Sequence, residues 1–287
     1  MKVKGRIIKL TGGLYTVMTD QGRIEARPRG LFRHHNQAPK VGDWVWCEAQ
    51  TIVDLEDRHN DLERPAIANV DLALLLNAAT KPDFSFNLLD RFLVMIESHD
   101  VQAVIIVPKI DLLEAEALED LKKDLRYYET YYPVYYVNKH DAKTTEPVKT
   151  LLADKVSVLA GQTGAGKSSL MNVLDPSLNL QVGEISKALG RGRHTTRHTE
   201  LWPLAGGWLA DTPGFSKLSF DHLQADDLSS YYPDFVALSS QCKFRGCQHL
   251  NEPHCAVKKA AEEGLILPSR IQNYRLIHQE LNEVKRY

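Results

Sequence analysis

The stretch GQTGAGKSSL, residues 161–170, has the residue types and spacing of a phosphate-binding loop. It follows the apolar run KVSVLA and precedes LMNVL, so it lies between a predicted strand and a predicted helix. There, glycines let backbone N–H groups turn toward phosphate oxygens at the N-terminus of the helix. Lys167 is expected to bind the β- and γ-phosphates of a nucleotide, and the Ser168 hydroxyl to bind Mg²⁺. The predicted nucleotide contacts of this loop are Gly161, Gln162, Thr163, Gly164, Ala165, Gly166, Lys167, Ser168 and Ser169.

A second phosphate-sensing motif, WLADTPGF, follows further along the chain. In this D-x-x-G arrangement, Asp211 is expected to reach the metal, usually through water, and the Gly214 N–H to meet the γ-phosphate. Between the two motifs, GRHTTRH supplies Thr195 and Thr196. A threonine there completes the Mg²⁺ shell only while the γ-phosphate is present, which predicts a switch loop with Thr196 as the magnesium ligand.

The group that positions the attacking water is harder to assign, because Phe215 stands where many GTPases carry a glutamine. Phenylalanine has no donor or acceptor for water. His194 is the predicted replacement, since it lies beside the switch threonines and can accept a proton near neutral pH. His198 is the alternate, and a loop histidine bound to backbone or RNA stays an equal interpretation. The predicted catalytic set is His194, Lys167 and Thr196.

The stretch VPKIDLL, residues 107–113, resembles the base-reading motif of guanine-binding GTPases. Lys109 and Asp111 are its predicted nucleotide contacts, but Pro108 replaces the usual Asn or Thr, and proline has no backbone N–H. Asp111 can accept hydrogen bonds from the N1–H and N2–H₂ donors of guanine. Adenine lacks this pair, and leaving the carboxylate unpaired would cost roughly 1–3 kcal/mol, so GTP is the favoured nucleotide.

Three cysteines and a histidine crowd into a short stretch near the end of the chain: Cys242, Cys247, His249 and Cys255. Three thiolates and an imidazole suit a tetrahedral structural Zn²⁺ site. Four protein ligands leave no open position, so metal catalysis is not expected there. His254 is a competing ligand, although its adjacency to Cys255 makes joint chelation awkward. A redox or unliganded cluster is the alternative.

The elements around these motifs fall into three predicted domains. Residues 1–63 alternate short strands with turns, which predicts a small antiparallel barrel, of the OB-fold type or, almost as well, an SH3-like one. Residues 64–222 alternate strands with helices, which predicts a parallel, doubly wound α/β sheet carrying the P-loop. Residues 223–287 combine the Cys/His segment with a final helix, in which apolar residues recur at helical spacing.

A net charge of −2 conceals uneven patches. Residues 1–40 hold nine Lys or Arg against two acids, whereas 41–63 hold seven acids against Arg58. The stretch 187–198 adds four Lys or Arg and no acid. Such basic patches favour a partner with a phosphate backbone, although a merely solvated face is the alternative for any one of them.

The composition is that of a soluble globular protein, with 43% apolar and 25% charged residues. The start, MKVKGRIIKL, has no apolar core of a secretory signal, and no apolar run is long enough to span a bilayer. We therefore expect a cytoplasmic protein without a membrane partner.

Several motifs together resemble one family, the circularly permuted GTPases that depend on the small ribosomal subunit (RsgA, also called YjeQ or YloQ). They are RGLFR, PKVGDWV, RPAIANVD, GQTGAGKSSL, GRHTTRHTEL, DTPGF and CKFRGCQHLNEPHCAV. The resemblance implies an N-terminal OB-fold, a permuted GTPase domain and a C-terminal zinc-binding domain. It implies GTP hydrolysis stimulated by the small subunit, late in that subunit's maturation. We expect the subunit and its rRNA as partners and no DNA, and nothing in the sequence demands more than a monomer.

Permutation explains why the base-reading motif precedes the phosphate loop. Two rival functions stay open at this point: a P-loop ATP enzyme such as a kinase, and an RNA-binding adaptor with a degenerate nucleotide site. The DTPG motif and Lys109 with Asp111 argue against the first. The intact Lys167, Ser168 and Asp211 argue against the second.

Overall fold

The computed structural model describes residues 2–30, 32, 38–62, 66–178, 200–210, 220 and 222–284. Within this part of the chain, no helix combines the length and the apolar character that crossing a membrane requires.

The first five strands close into a barrel. They are β1 (Lys2–Thr11), β2 (Leu14–Thr19), β3 (Gly22–Pro28), β4 (Trp44–Glu48) and β5 (Thr51–Leu55). Their order is β1-β2-β3-β5-β4, with β3 and β5 parallel and the other neighbours antiparallel. Alternate residues point inward, and the side chains of Ile7, Val17, Val45 and Ile52 are fully buried. The predicted OB-type barrel is confirmed.

A short ribbon joins the barrel to the rest of the chain. It pairs β6 (Asp61–Leu62) with β7 (Ile67–Ala68), and Ile67 also bridges to Val41 of the barrel region. Arg58 lies 2.7 Å from Asp43 and 2.6 Å from Asp61, so the only cation of the acidic stretch 41–63 holds that stretch together.

Six strands form the central sheet, in the order β10-β9-β8-β11-β13-β12. They are β8 (Leu72–Leu76), β9 (Gln102–Pro108), β10 (Val134–Val137), β11 (Val156–Ala160), β12 (Leu201–Leu204) and β13 (Gly207–Ala210). The helices among them are α1 (Phe86–Glu97), α2 (Ala115–Glu129), α3 (Ala142–Leu151) and α4 (Lys167–Leu174). All residues of β8 and β11 are buried, as expected for central parallel strands covered on both faces.

The predicted doubly wound sheet is confirmed, with one difference at its edge. Strand β12 is antiparallel to β13, and the two are joined by Ala205 and Gly206, both with positive φ. A two-residue turn of that kind makes a tight hairpin, which can join antiparallel strands but not parallel ones. The order of strands reverses between β8 and β11, and ligands of open α/β sheets bind at that reversal, beyond the carboxyl ends of the strands.

The last part of the chain is helical. It contains a 3₁₀ turn (Ala225–Tyr231), α5 (Pro233–Ser239), α6 (Ala256–Glu262) and α7 (Pro268–Val284). Four of the five apolar residues predicted to recur along α7 are buried: Ile271, Tyr274, Ile277 and Leu281. The burial of the fifth, Val284, is not described. Helix α7 packs along α1 of the central domain.

A buried ion network fixes this packing. Arg270 of α7 is 1% exposed and lies 2.5 Å from Asp90 of α1 and 3.0 Å from Asp234 of α5. Its guanidinium also stacks 4.2 Å above the ring of Tyr232, and Asn273 donates to Asp90 at 2.6 Å. Buried charges are tolerated only when paired and hydrogen-bonded. The network therefore joins the C-terminal helices to the central sheet domain.

Candidate nucleotide site and metal centre

The phosphate loop occupies the turn between β11 and α4, beside the end of β8. Gly161 has a φ of +121°, and a Cβ there would collide with the carbonyl oxygen of Leu76. Gly166 has a φ of +99° and begins α4 in a left-handed conformation. Only glycine adopts these conformations without strain, so the sequence can turn backbone N–H groups inward at a helix N-terminus.

The lysine of the loop is held over it. Lys167 Nζ donates to the carbonyl oxygens of Gly161 (2.6 Å) and Gln162 (2.7 Å). Burial lowers the pKa of Lys167. Ser168 follows in the first turn of α4 and is buried. The ammonium group is thus placed by the loop's own backbone, where a phosphate oxygen can replace a carbonyl.

The other predicted residues of the loop differ in their burial. Ala165 is buried and its N–H donates to Gln162 (3.3 Å), which closes the turn. Gln162 and Ser169 are half-buried, whereas Thr163 and Gly164 are exposed. All nine predicted contacts therefore lie in one continuous segment, with residues 161–166 in the turn after β11 and residues 167–169 in the first turn of α4.

The predicted base-reading segment, residues 107–113, reaches the same loop. Lys109 follows β9, and its Nζ donates to the carbonyl oxygens of Gly164 (2.8 Å) and Lys81. Burial, together with the charges of Lys139 and Lys81, lowers the pKa of Lys109. Asp111 lies exposed in the 3₁₀ turn Ile110–Leu112, directly beyond Lys109. The fold thus brings together two segments that are far apart in sequence.

Five predicted site residues lie outside the described residues: His194, Thr195, Thr196, Asp211 and Gly214. The alternate His198 and Phe215 lie outside them too. Their roles stay predictions.

Sequence reasoning missed the segment that follows β8. Asn77 is 2% exposed and donates from Nδ2 to the Ser85 carbonyl (3.1 Å), while its Oδ1 has no hydrogen-bond partner among the residues that the structure describes. The carbonyl oxygen of Lys81 accepts a hydrogen bond from Lys109 Nζ. This segment could have been identified from its position, because it directly follows a fully buried strand at the carboxyl edge of the sheet.

The Cys/His cluster has the dimensions of a tetrahedral metal site. The ligand atoms of Cys242, Cys247, His249 and Cys255 all lie within 4.8 Å of one another. Cys242 Sγ lies 4.0 Å from Cys255 Sγ, and His249 Nδ1 lies 3.7 Å from Cys242 Sγ and 3.3 Å from Cys255 Sγ. Tetrahedral Zn²⁺ with ordinary bond lengths separates sulfurs by about 3.8 Å and sulfur from nitrogen by about 3.6 Å. The cluster therefore fits zinc.

The protonation chemistry of the cluster agrees with that fit. Burial lowers the pKa of His249, which favours the neutral, ligating imidazole. Burial and the neighbouring thiols raise the pKa of Cys247 to about 12. Adjacent thiolates are therefore stable only beside a cation. The competing ligand His254 is exposed and lies outside the group of four.

Comparison with known proteins places the chain in a family. The family model for RsgA GTPase matches residues 55–221, and the model for the RsgA N-terminal domain matches residues 4–52. Small ribosomal subunit biogenesis GTPase RsgA of Shouchella clausii is 46% identical over 291 residues and aligns with 99% of each chain. RsgA 2 of Oceanobacillus iheyensis is 45% identical over 98% of each chain.

Two solved structures share the whole fold. YloQ, described as a circularly permuted GTPase, superposes with a TM-score of 0.84 and 37% identity, over 99% of this chain and 96% of that chain. YjeQ from Thermotoga maritima has a TM-score of 0.85 and 31% identity, over 98% of this chain and 99% of that chain. The predicted fold class and the predicted GTP hydrolase activity are confirmed by these likenesses. The chain belongs to the RsgA GTPase family.

Proposed function

We propose that the protein is a GTPase that binds the small ribosomal subunit and acts late in its maturation, hydrolysing GTP to GDP and phosphate with stimulation by the subunit. The full-length relatives carry the name small ribosomal subunit biogenesis GTPase. One observation supports the nucleotide part: Lys109 Nζ donates to the Gly164 carbonyl oxygen at 2.8 Å, so the predicted base reader lies against the phosphate loop.

Each described residue of the site has a proposed task. Lys167 binds the β- and γ-phosphates, and Ser168 holds Mg²⁺, which neutralises charge on the transferring phosphate. Asp111 accepts from the guanine N1–H and N2–H₂. The backbone of the loop cradles the phosphate oxygens.

The remaining tasks belong to residues outside the described part. Thr196 completes the magnesium shell beside Thr195, Asp211 reaches the metal through water, and the Gly214 N–H meets the γ-phosphate. His194 positions the attacking water.

Zinc has a structural role in this proposal. Cys242, Cys247, His249 and Cys255 would hold one Zn²⁺ with no open position, so it stabilises the loop between α5 and α6 and takes no part in hydrolysis. The ion replaces a hydrophobic core in a segment with few buried apolar side chains of its own.

The subunit is proposed to be bound through its rRNA. Arg27 and Arg29 lie exposed at the end of β3, in the basic part of the barrel. We also propose a cytoplasmic monomer without affinity for DNA, and we keep 1–63, 64–222 and 223–287 as its three domains.

Cosedimentation with purified small subunits tests this proposal. We expect the protein to pellet with subunits in the presence of a non-hydrolysable GTP analogue, to be released with GDP, and to bind more weakly as salt rises. GTP but not ATP should compete for the nucleotide site. Binding in neither nucleotide state at low salt would contradict the ribosomal role, and equal competition by ATP would favour an ATP enzyme.

A further inference from the structure

Pro108 lies between the base reader and the phosphate loop. It is the last residue of β9, it is buried, and its carbonyl accepts from the Ala79 N–H at 2.9 Å. Its ring faces the phosphate loop: Cγ and Cβ lie 3.5 and 3.6 Å from the point that a Cβ on Gly166 would occupy. A methyl group on Gly166 would therefore fit in van der Waals contact with the proline ring, in the space between the ring and the loop backbone.

The residue after it is conformationally demanding. Lys109 has a φ of +66°, which a non-glycine residue adopts only when its neighbours hold it there. One restraint is visible in the hydrogen bonds that Lys109 Nζ donates to the carbonyl oxygens of Gly164 and Lys81. The preceding proline fixes its own φ near −65°, which stiffens the backbone that leads into Lys109. Asp111 lies two residues further on, exposed, in a turn of three residues.

We propose that Pro108 is a positioning residue for guanine recognition: its buried ring occupies the space beside Gly166 of the phosphate loop and so keeps in place the end of β9, from which residues 109–111 continue. This inference rests on the proposed function, because it assumes that Asp111 binds guanine. In this chain, packing and a fixed backbone replace the side-chain hydrogen bonds of the usual Asn or Thr. The phosphate loop itself does not depend on Pro108, since its turn is closed by its own residues.

Calorimetric titration of GDP, IDP and pyrophosphate separates these roles. IDP lacks the N2 amino group, so the ratio Kd(IDP)/Kd(GDP) measures how well Asp111 is aimed at the base. Pyrophosphate measures the phosphate loop alone. We expect Pro108→Ala to lower the ratio roughly tenfold, the size of one hydrogen bond to a charged group, and to change the pyrophosphate Kd less than about twofold.

Matched variants give the controls. Pro108→Val keeps apolar bulk over Gly166 and should retain the ratio within about threefold. Pro133→Ala removes the proline that precedes β10, whose carbonyl also accepts a bond from β9 (Ile105 N–H, 2.9 Å), and should change nothing. Pro108→Ser removes the ring in the same way and serves if the alanine variant does not fold.

The outcomes distinguish this inference from the function on which it rests. A folded Pro108→Ala or Pro108→Ser variant with the wild-type ratio would overturn the positioning role alone. A wild-type protein that binds pyrophosphate but treats GDP and IDP alike would overturn guanine recognition as well.

Discussion

The phosphate loop and the Cys/His cluster both gather polar atoms for a ligand, but they differ in what the chain supplies without it. In the loop, Lys167 is bound by backbone carbonyls, and glycine conformations shape the turn. In the cluster, three thiols and a buried imidazole crowd together, and burial together with the neighbouring thiols raises the pKa of Cys247 to about 12. The loop is therefore shaped by the protein alone, whereas we propose that the cluster needs a cation in order to fold.

A second contrast lies in how each region is joined to the central sheet. The loop is part of that sheet's edge, between β11 and α4. The C-terminal helices are held to it by Arg270, Asp90 and Asp234, all within 1% of full burial. The structural effect of losing the nucleotide should thus be local. The effect of losing zinc or this ion network should extend through the C-terminal helices.

The largest expected effect comes from removing a zinc ligand. Cys247→Ser should release the ion and unfold the segment from Cys242 to α6, because structural zinc contributes on the order of 10 kcal/mol to folding. Zinc content and hydrogen exchange would measure this. His254→Ala, outside the cluster, should keep both unchanged. If Cys247→Ser kept full protection from hydrogen exchange in this segment, the proposed difference between the cluster and the phosphate loop would be wrong.

The next effect concerns the buried network. Arg270→Met should lower the free energy of unfolding by about 3–5 kcal/mol in urea titrations, since it leaves two buried carboxylates unpaired. Arg91→Met is the control: Arg91 pairs with Glu280 at 2.7 Å, but that pair is partly exposed, so its loss should cost under about 1 kcal/mol. If both variants lost the same free energy of unfolding, the buried network would be no more important than the partly exposed pair.

Lys167→Ala should act in the opposite way, on turnover but not on folding. We expect GTP hydrolysis to fall roughly 10²–10³-fold, because the charge that stabilises the transferring phosphate is lost, while the melting temperature without nucleotide stays nearly constant. Lys155→Ala, at the other end of β11 and exposed, provides the control for charge removal. A large loss of stability would mean that Lys167 also supports the fold.

The smallest effect is a change of base preference. Asp111→Asn should weaken GDP binding about 10- to 100-fold and strengthen XDP binding, since an amide can donate to the O2 of xanthine. Competition titrations would measure both affinities. Weakened GDP binding without a gain for XDP would indicate that Asp111 supports the loop and does not read the base.

The phosphate loop and the Cys/His cluster could be predicted because each motif is complete within a short stretch of sequence. The strands β8, β9 and β11 could be predicted for the same reason, from continuous apolar runs. Arg270 could not, because its partners Asp90 and Asp234 are distant in sequence and leave no periodic signal. A hint existed in Asp90 itself, an acid on the apolar face of α1.

Pro108 shows what a local rule leaves out. The sequence shows only a missing N–H and a missing Asn or Thr side chain, whereas the tertiary structure places the ring beside Gly166. The contact of Lys109 with Gly164 and Lys81 joins three loops of the sheet edge in the same way. Such contacts follow from strand order, which sequence patterns determine only indirectly.

GTP turnover with and without purified small ribosomal subunits tests the central claim most directly. We expect slow hydrolysis by the zinc-loaded protein alone, strong stimulation by the subunit, and no stimulated turnover in Lys167→Ala. Hydrolysis that stays unstimulated at low salt, together with a failure to bind the subunit, would contradict the claim.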